Sequence, residues 1–384
     1  MTLAIVANSL NAPSETFIRA HVRDIAPGRT VVLCKDGSGA VDLAVPVLSD
    51  IRRASKPLHF GDRITRVLTR IFRPFLDPSL RGIEARKVLE FLKLHDVKVV
   101  LAEFGQNGSR MRLPCKRAQI PLYVHFHGSD ATRLARNSSW RRHYRKLFRG
   151  ATGVIAPSGF LADRLRKLGC PNDKLYVSPH GINPDGFEES TRESGRILAI
   201  GRLVEKKAPH LTIRAFAAVH KQHPECTLDI VGDGPLHAMC VDEINRFGLS
   251  ESVRLHGAQS HEYVKGLLSH AALFVQHSVT ARDGDMESFG ISLVEAMACG
   301  IPVVTTDHNG FSETVSHGET GYLVAEHDVE AMSAAILELL EDPDQATRMG
   351  RAGRARVEER FTKERAAARL REIMAYSYLS NTGG

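Results

Sequence analysis

The 384-residue chain has one tryptophan, six cysteines and few aromatic residues, which make up 6% of the total. Each scarcity excludes something. No stretch approaches the ~18 consecutive apolar residues of a membrane-spanning helix. Cys34, Cys115, Cys170, Cys226, Cys240 and Cys299 never fall within ten residues of one another, so there is no CxxC pair and no zinc-finger spacing. They read as reduced thiols of a cytosolic protein. The opening residues, Met1 to Ala7, have no basic segment ahead of them and read as a first strand, not as a secretory signal. No repeat of 20–50 residues and no low-complexity tail is visible. The 18 histidines are scattered. His125 and His127 share one strand face, but no third ligand stands near them in sequence, and no metal site is expected.

What is present is an ordinary globular composition, 43% apolar and 25% charged, on a length that suits two domains. The formal charge of +7 hides a partition. Residues 1–185 hold 31 Lys/Arg against 15 Asp/Glu, a balance of +16; residues 186–384 hold 20 against 29, a balance of −9. The first half should seek an anionic partner.

Short runs rich in Val, Ile and Leu alternate with amphipathic stretches. Strands are predicted at 2–7, 30–34, 97–102, 121–126 and 153–156, with helices at 14–25, 79–95, 138–149 and 158–168. The pattern then restarts. Strands follow at 195–200, 226–231, 252–256, 272–275, 301–305 and 321–324, and helices at 208–222, 236–247, 289–299, 329–342 and 344–377. Non-alternating apolar runs are the mark of buried parallel strands. The chain therefore reads as α/β, two Rossmann-like doubly wound domains facing a central cleft. The division falls at the Pro- and Gly-rich segment 179–186, giving domains 1–185 and 186–365. A last helix at about 366–384 is expected to pack back on the first. Ligands of such sheets bind beyond the carboxyl ends of the strands.

The most informative segment runs from Asp283 to Pro302 and contains Glu287 and Glu295 in an E-x7-E spacing. Glu295 lies in a helix that Gly300 ends, and Glu287 lies just before its start. Unpaired N–H groups at a helix start suit a phosphate. A carboxylate can accept hydrogen bonds from two vicinal hydroxyls of a sugar or ribose. Read singly, Glu287 is equally a charge placed at a helix N-terminus, and Glu295 a solvated helix residue.

In its surroundings, E-A-M-A-C-G-x-P-V-V, the segment resembles glycosyltransferase family 4, retaining enzymes of GT-B fold. The resemblance extends to Gly201–Lys207, Gly232–Leu236 and the stretch from Gly310 to Val324. In the first half it takes in Pro13–Ile18, Glu103–Gly108 and His125–Asp130, which look like the subgroup that builds bacterial exopolysaccharides such as colanic acid. Two departures stand out: Glu103 where the subgroup usually has His, and Ala208 where Gly usually follows the basic pair.

The resemblance implies a nucleotide-sugar donor, with UDP favoured over GDP, and a lipid-linked saccharide acceptor. Arg202 and Lys207 would hold the diphosphate, whose negative charge grows as it leaves. Glu295 would hold the ribose and Glu287 the donor sugar. Phe289, Gly290 and Gly234 complete the expected donor site. His127 would contact the donor sugar or the reaction centre and, with Glu287, form the catalytic pair, with Gly105, Asn107 and Asp130 on the acceptor or sugar side. Gly105 and Gly108 would allow close backbone approach, although a simple turn explains them nearly as well. Lys206 and Glu205 read as solvated loop charges. Asp283 and Asp285 spell D-x-D, which elsewhere holds a divalent ion, but cationic side chains and a helix end suffice for the phosphates. No cofactor and no metal are expected.

Two basic stretches carry the charge excess. Residues 63–76 place Arg63, Arg66, Arg70 and Arg73 beside an apolar stripe, and residues 140–149 add a second patch. Either stripe suits core packing or an anionic membrane surface, and the half-chain imbalance favours the membrane. No nucleic-acid module is recognisable. The expected location is the cytoplasm, at the inner face of the cytoplasmic membrane. The alternatives are a nucleotide-sugar epimerase of the same fold and an inactive membrane adaptor.

Overall fold

The computed structural model describes every residue except 1, 12–14, 38, 40, 51–76 and 381–384, and the side chains of all described residues except 41 and 376–380. The basic stretch 63–76 and the Pro13–Ser14 part of the first motif lie outside the described residues. The rest forms two compact units. One runs up to Pro179 and takes up the chain again from Lys363; the other is His180–Thr362.

In the first unit, β1 (Thr2–Ala7), β2 (Thr30–Cys34), β3 (Val47–Leu48), β4 (Val97–Glu103), β5 (Leu122–His125), β6 (Gly153–Ala156) and β7 (Leu175–Val177) form one sheet. The strand order is β3-β2-β1-β4-β5-β6-β7 and every pairing is parallel. Burial on both faces explains the unbroken apolar runs. Strand β4 is buried throughout except at Lys98. The helices are α1 (Thr16–Asp24), α2 (Gly82–Leu94), α3 (Gly105–Ala118), α4 (Ser138–Gly150) and α5 (Gly159–Lys167). The Asn137 side chain caps α4 through the Ser139 amide, and Ser158 caps α5 through that of Leu161.

In the second unit, β8 (Arg196–Ile200), β9 (Thr227–Val231), β10 (Val253–Leu255), β11 (Leu273–Gln276), β12 (Val303–Thr306) and β13 (Gly321–Val324) follow the order β10-β9-β8-β11-β12-β13, again parallel. Around them stand α6 (Pro209–Gln222), α7 (His237–Arg246), α8 (His261–Leu268), α9 (Ile291–Ala298), the single turn α10 (Phe311–Thr314), α11 (Val329–Glu341) and α12 (Pro343–Arg360). In each sheet the order reverses once, between β1 and β4 and between β8 and β11. Those reversals open a space at the carboxyl ends of the strands, where doubly wound sheets bind ligands.

Two sequence expectations need correction. The segment 344–377 is two helices, α12 and α13 (Lys363–Ser380). Phe361 interrupts them because its ring turns into the core against Phe289 (5.6 Å), while Thr362 bridges to Ile182. Helix α13 packs on α1, and Arg371 Nη1 donates to the Asp24 carbonyl (2.9 Å). Gly105 and Gly108 do not lie in a loop; they open α3. A Cβ on Gly105 would stand 2.3 Å from the Phe126 ring, and one on Gly108 2.6 Å from Val124. Close packing of helix on sheet accounts for both. The short edge strands β3 and β7 and the helix α8 are additions to the sequence expectation.

The six cysteines are free and buried. Among the described residues no helix is long and apolar enough to cross a membrane.

Candidate active site

The second unit gathers its charged groups at the β8/β11 reversal. After β8 the chain passes through Gly201 and the exposed Arg202 into the turn that carries Lys206 and Lys207. Gly232 and Gly234 let the neighbouring loop close against this one. A Cβ on Gly232 would lie 2.0 Å from the Gly201 carbonyl oxygen, and one on Gly234 2.5 Å from that of Leu203. Gly234 thus shapes the loop that bears Arg202. A small cavity there is lined by Gly201, Arg202, Leu203, Lys207, Thr212 and Gln276.

Lys207 Nζ reaches Glu287 Oε2 at 2.8 Å and Gln276 Oε1 at 3.2 Å. Both members of the ion pair are largely buried. Burial pushes the Glu287 carboxyl up, but Lys207 and Lys206 outweigh it and hold the group well below the usual carboxylate range. Burial lowers the Lys207 ammonium, against the pull of Glu287. Lys206 is not the solvated charge expected from the sequence. Its Nζ lies 3.5 Å from Asp285 and donates to the Met286 carbonyl (3.3 Å), so it ties the Asp283–Glu287 loop to the basic turn. In the same loop Asp283 accepts from the Asp285 amide, and Asp285 from that of Met286.

Gln276 and His308 were not singled out in the sequence. Gln276, at the end of β11, also accepts from Ser292 Oγ at 3.0 Å, linking Lys207 to the first turn of α9. His308 Nε2 accepts the Glu287 N–H (3.1 Å) and an Asn309 side-chain N–H (2.6 Å), so the ring proton sits on Nδ1 and is donated to Glu326 (2.5 Å). Burial lowers the His308 imidazole despite Glu326, in keeping with a neutral ring. Only the folded contacts reveal these residues, because an isolated Gln or His at a strand end has no distinctive spacing.

Glu295 stands apart. Its carboxylate is 12% exposed and its nearest ionic neighbour, His261 Nδ1, is 4.0 Å away. Burial pushes its carboxyl up to about 7, with Lys265 opposing. Gly290 begins α9 at φ 82°, a left-handed conformation that favours glycine. Phe289 is a core residue, packed edge-on to His180 (5.4 Å) and Phe361.

The first unit places His127 just past β5. Its Nε2 lies 2.7 Å from Glu103 Oε2, and its ring packs against Phe17 (4.4 Å) and Phe104 (4.6 Å). Asp130 is fully buried, and its carboxylate accepts from the amides of Gly105, His127, Gly128 and Ala131. The Asn107 side chain donates to the Glu103 carbonyl (2.8 Å) and accepts from Arg110. Asp130, Asn107 and Gly105 therefore shape the loop and helix start that carry His127 and Glu103.

With these two sites in view, comparison with known proteins is direct. Residues 187–356 match the family model for glycosyl transferases group 1, and residues 29–185 that for Glycosyltransferase Family 4. The amylovoran biosynthesis glycosyltransferase AmsK of Erwinia amylovora is 34% identical over 336 residues, 83% of this chain and 82% of its own length. The chain belongs to the family 4 glycosyltransferases. WcaL of Escherichia coli K12, named for colanic acid biosynthesis, is 33% identical over 69% of this chain and 67% of its own length. HepE of Anabaena, solved with UDP, superposes with a TM-score of 0.79 at 20% identity, over 98% of this chain and all of its own. The two units have the GT-B architecture, and the enzyme is a glycosyltransferase of the exopolysaccharide type.

Proposed function

We propose that this transferase moves a hexose, with retention, from a nucleotide-sugar to a lipid-linked saccharide in surface-glycan synthesis. Lys207 carries the reading. Its buried ammonium lines the cavity at the β8/β11 reversal, held there by Glu287 and Gln276. Arg202, exposed on the same loop, is the second cation for the diphosphate. Preorganised positive charge at that point stabilises the departing phosphate. Glu295, buried with no Lys or Arg in ion-pair contact among the described residues, is suited to accept the ribose hydroxyls, and Glu287 to orient the donor sugar. HepE is solved with UDP and with UDP-glucose, which favours UDP over GDP here. With retention, the departing phosphate itself takes the acceptor proton, and no protein nucleophile is needed. The chain's own cations make a metal unnecessary, so the rate should survive chelator. Asp283 and Asp285 serve the loop.

The acceptor is brought by an anionic membrane surface at the cytoplasmic face. Helix α4 supports this. His143, Tyr144, Leu147 and Phe148 are buried, so its apolar stripe is core, while Arg141, Arg142, Arg145, Lys146 and Arg149 are exposed together. Each basic residue near such a surface contributes about 1 kcal/mol.

A panel of UDP- and GDP-sugars with lipid extract, read by mass spectrometry, tests the reading. Transfer that needs Lys207 and Glu295 supports it. Conversion of a UDP-sugar without acceptor, seen by NMR, would replace it with an epimerase. Absence of nucleotide binding would leave the inactive adaptor.

A further inference from the structure

Glu103 stands where the exopolysaccharide subgroup usually has histidine, and the structure gives it surroundings that nothing in the donor chemistry requires. It ends β4, the strand beside the order reversal of the first sheet, and it has no exposed surface. Two imidazoles meet it at hydrogen-bond length. His21 Nδ1, from α1, lies 2.7 Å from Oε1, and His127 Nε2 lies 2.7 Å from Oε2. His125 Nδ1 is 3.7 Å from Oε2, and the His125 ring stacks on that of His21 at 5.6 Å. The next residue is held just as firmly. Phe104 has φ +69°, a backbone conformation that non-glycine residues rarely adopt. Its amide donates to the His125 carbonyl (2.8 Å).

An ionised carboxylate only accepts hydrogen bonds, so both contacting ring nitrogens must carry protons. A buried carboxylate also needs positive charge beside it. Burial pushes the Glu103 carboxyl up, yet the His21 charge and the hydrogen bonds from His127 and His21 hold it well below the usual range.

We propose that Glu103 is a positioning residue that clamps His21 and His127 through two N–H donors, fixing the ring orientation and the proton placement of His127 for the sugar transfer. This rests on the transferase reading, in which His127 meets the donor sugar. The arrangement resembles the way a carboxylate behind a metal-ligating histidine sets its tautomer, where loss of the carboxylate costs about 10–100-fold in metal affinity or activity. Asp130 is not a second clamp, because its oxygens are taken by backbone amides.

The test uses the full chain labelled with ¹⁵N-histidine. Two hydrogen-bonded imidazole N–H signals, from His21 Nδ1 and His127 Nε2, are expected in the wild type. Glu103→Gln, whose amide offers a single acceptor oxygen, should keep at most one of them. The same variant should lose 10–100-fold in kcat while KM for the nucleotide-sugar changes less than threefold. If Glu103→Gln fails to fold, His21→Gln carries the test: the Nδ1 signal disappears and the His127 Nε2–H remains. Unchanged N–H signals in Glu103→Gln would overturn the proposal, as would a stoichiometric metal ion found by elemental analysis, since the rings would then bind the ion through those nitrogens. Wild-type protein that shows both signals but binds no UDP would count against the transferase reading and leave the clamp standing.

Discussion

In both units a buried carboxylate sits beside the point where the strand order reverses, but the partner differs. Glu103 meets two imidazoles at 2.7 Å, and Glu287 meets the Lys207 ammonium at 2.8 Å. A lysine partner keeps its charge throughout the physiological range, which suits a site that must always present a cation to phosphate. An imidazole partner carries a movable proton and a defined tautomer, which suits a site where orientation matters more than charge. Glu295 completes the contrast: it is a buried carboxylate with no Lys or Arg in ion-pair contact among the described residues, and the His261 imidazole stands 4.0 Å away. Its partner is expected to be the ligand.

The largest effect should come from breaking the permanent pair. Lys207→Ala should lower kcat by about 10²–10³-fold, the usual cost of removing one preorganised charge. It also leaves Glu287 buried and unpaired, which costs about 3–5 kcal/mol. The double variant Lys207→Met/Glu287→Leu should recover most of the stability in urea unfolding and none of the activity. A double variant as unstable as the single one would mean that the pair is not what Lys207 stabilises.

Glu295 should behave in the opposite way. Its carboxyl is raised from 4.5 to about 7 in the folded chain. The native state therefore binds more protons than the unfolded state between those values, and stability contributed by the protonated form is lost as pH rises through 7. Glu295→Gln should stabilise the ligand-free protein at pH 8 by up to about 3 kcal/mol, with the gain gone at pH 4. It should weaken UDP binding at least tenfold. In the wild type, UDP affinity should rise as pH increases through about 7, because the ionised form accepts the ribose hydroxyls. Calorimetric titration at pH 6 and 8 checks this, and a flat pH profile would separate Glu295 from the nucleotide.

The glycines extend the comparison to the two loop systems. Gly108 meets side-chain methyls of Val124, which can shift, whereas Gly232 meets the carbonyl of Gly201 and itself has φ 139°. Gly108→Ala should cost about 1–3 kcal/mol by overpacking. Gly232→Ala should cost more, and should also reduce activity, because it pushes away the loop that carries Arg202. Thermal unfolding of both variants ranks them, and equal costs would argue against backbone contact as the deciding feature.

Much of this was legible in the sequence. Unbroken Val/Ile/Leu runs marked the parallel strands because both sheet faces are covered, and the E-x7-E spacing singled out two carboxylates, Glu287 and Glu295, that the fold largely buries. The failures have physical causes. Gly105 and Gly108 read as glycines for close approach to a sugar or for a turn, because glycine disfavours helix, but the close approach of α3 to Phe126 and Val124 overrides that preference. Lys206 looked solvated because its partner, Asp285, is about eighty residues away. Gln276, His308 and His21 act through tertiary contacts that leave no local pattern.

The smallest expected effect concerns the second family departure, Ala208. The structure holds it at φ 37° and ψ 50°, the left-handed region, at the N-cap of α6. That conformation explains why glycine usually follows the basic pair. Replacing Ala208 with Gly removes about 1–2 kcal/mol of backbone strain. It also gives up a fully buried methyl packed near Leu211 and Val279, worth about 0.8 kcal/mol, and increases the freedom of the unfolded chain by a similar amount. The terms nearly cancel, so Ala208→Gly should change stability by less than about 1 kcal/mol. Because Lys207 precedes it directly, a change in kcat without a change in stability would show that the turn's strain, and not only its charge, sets the position of the Lys207 ammonium.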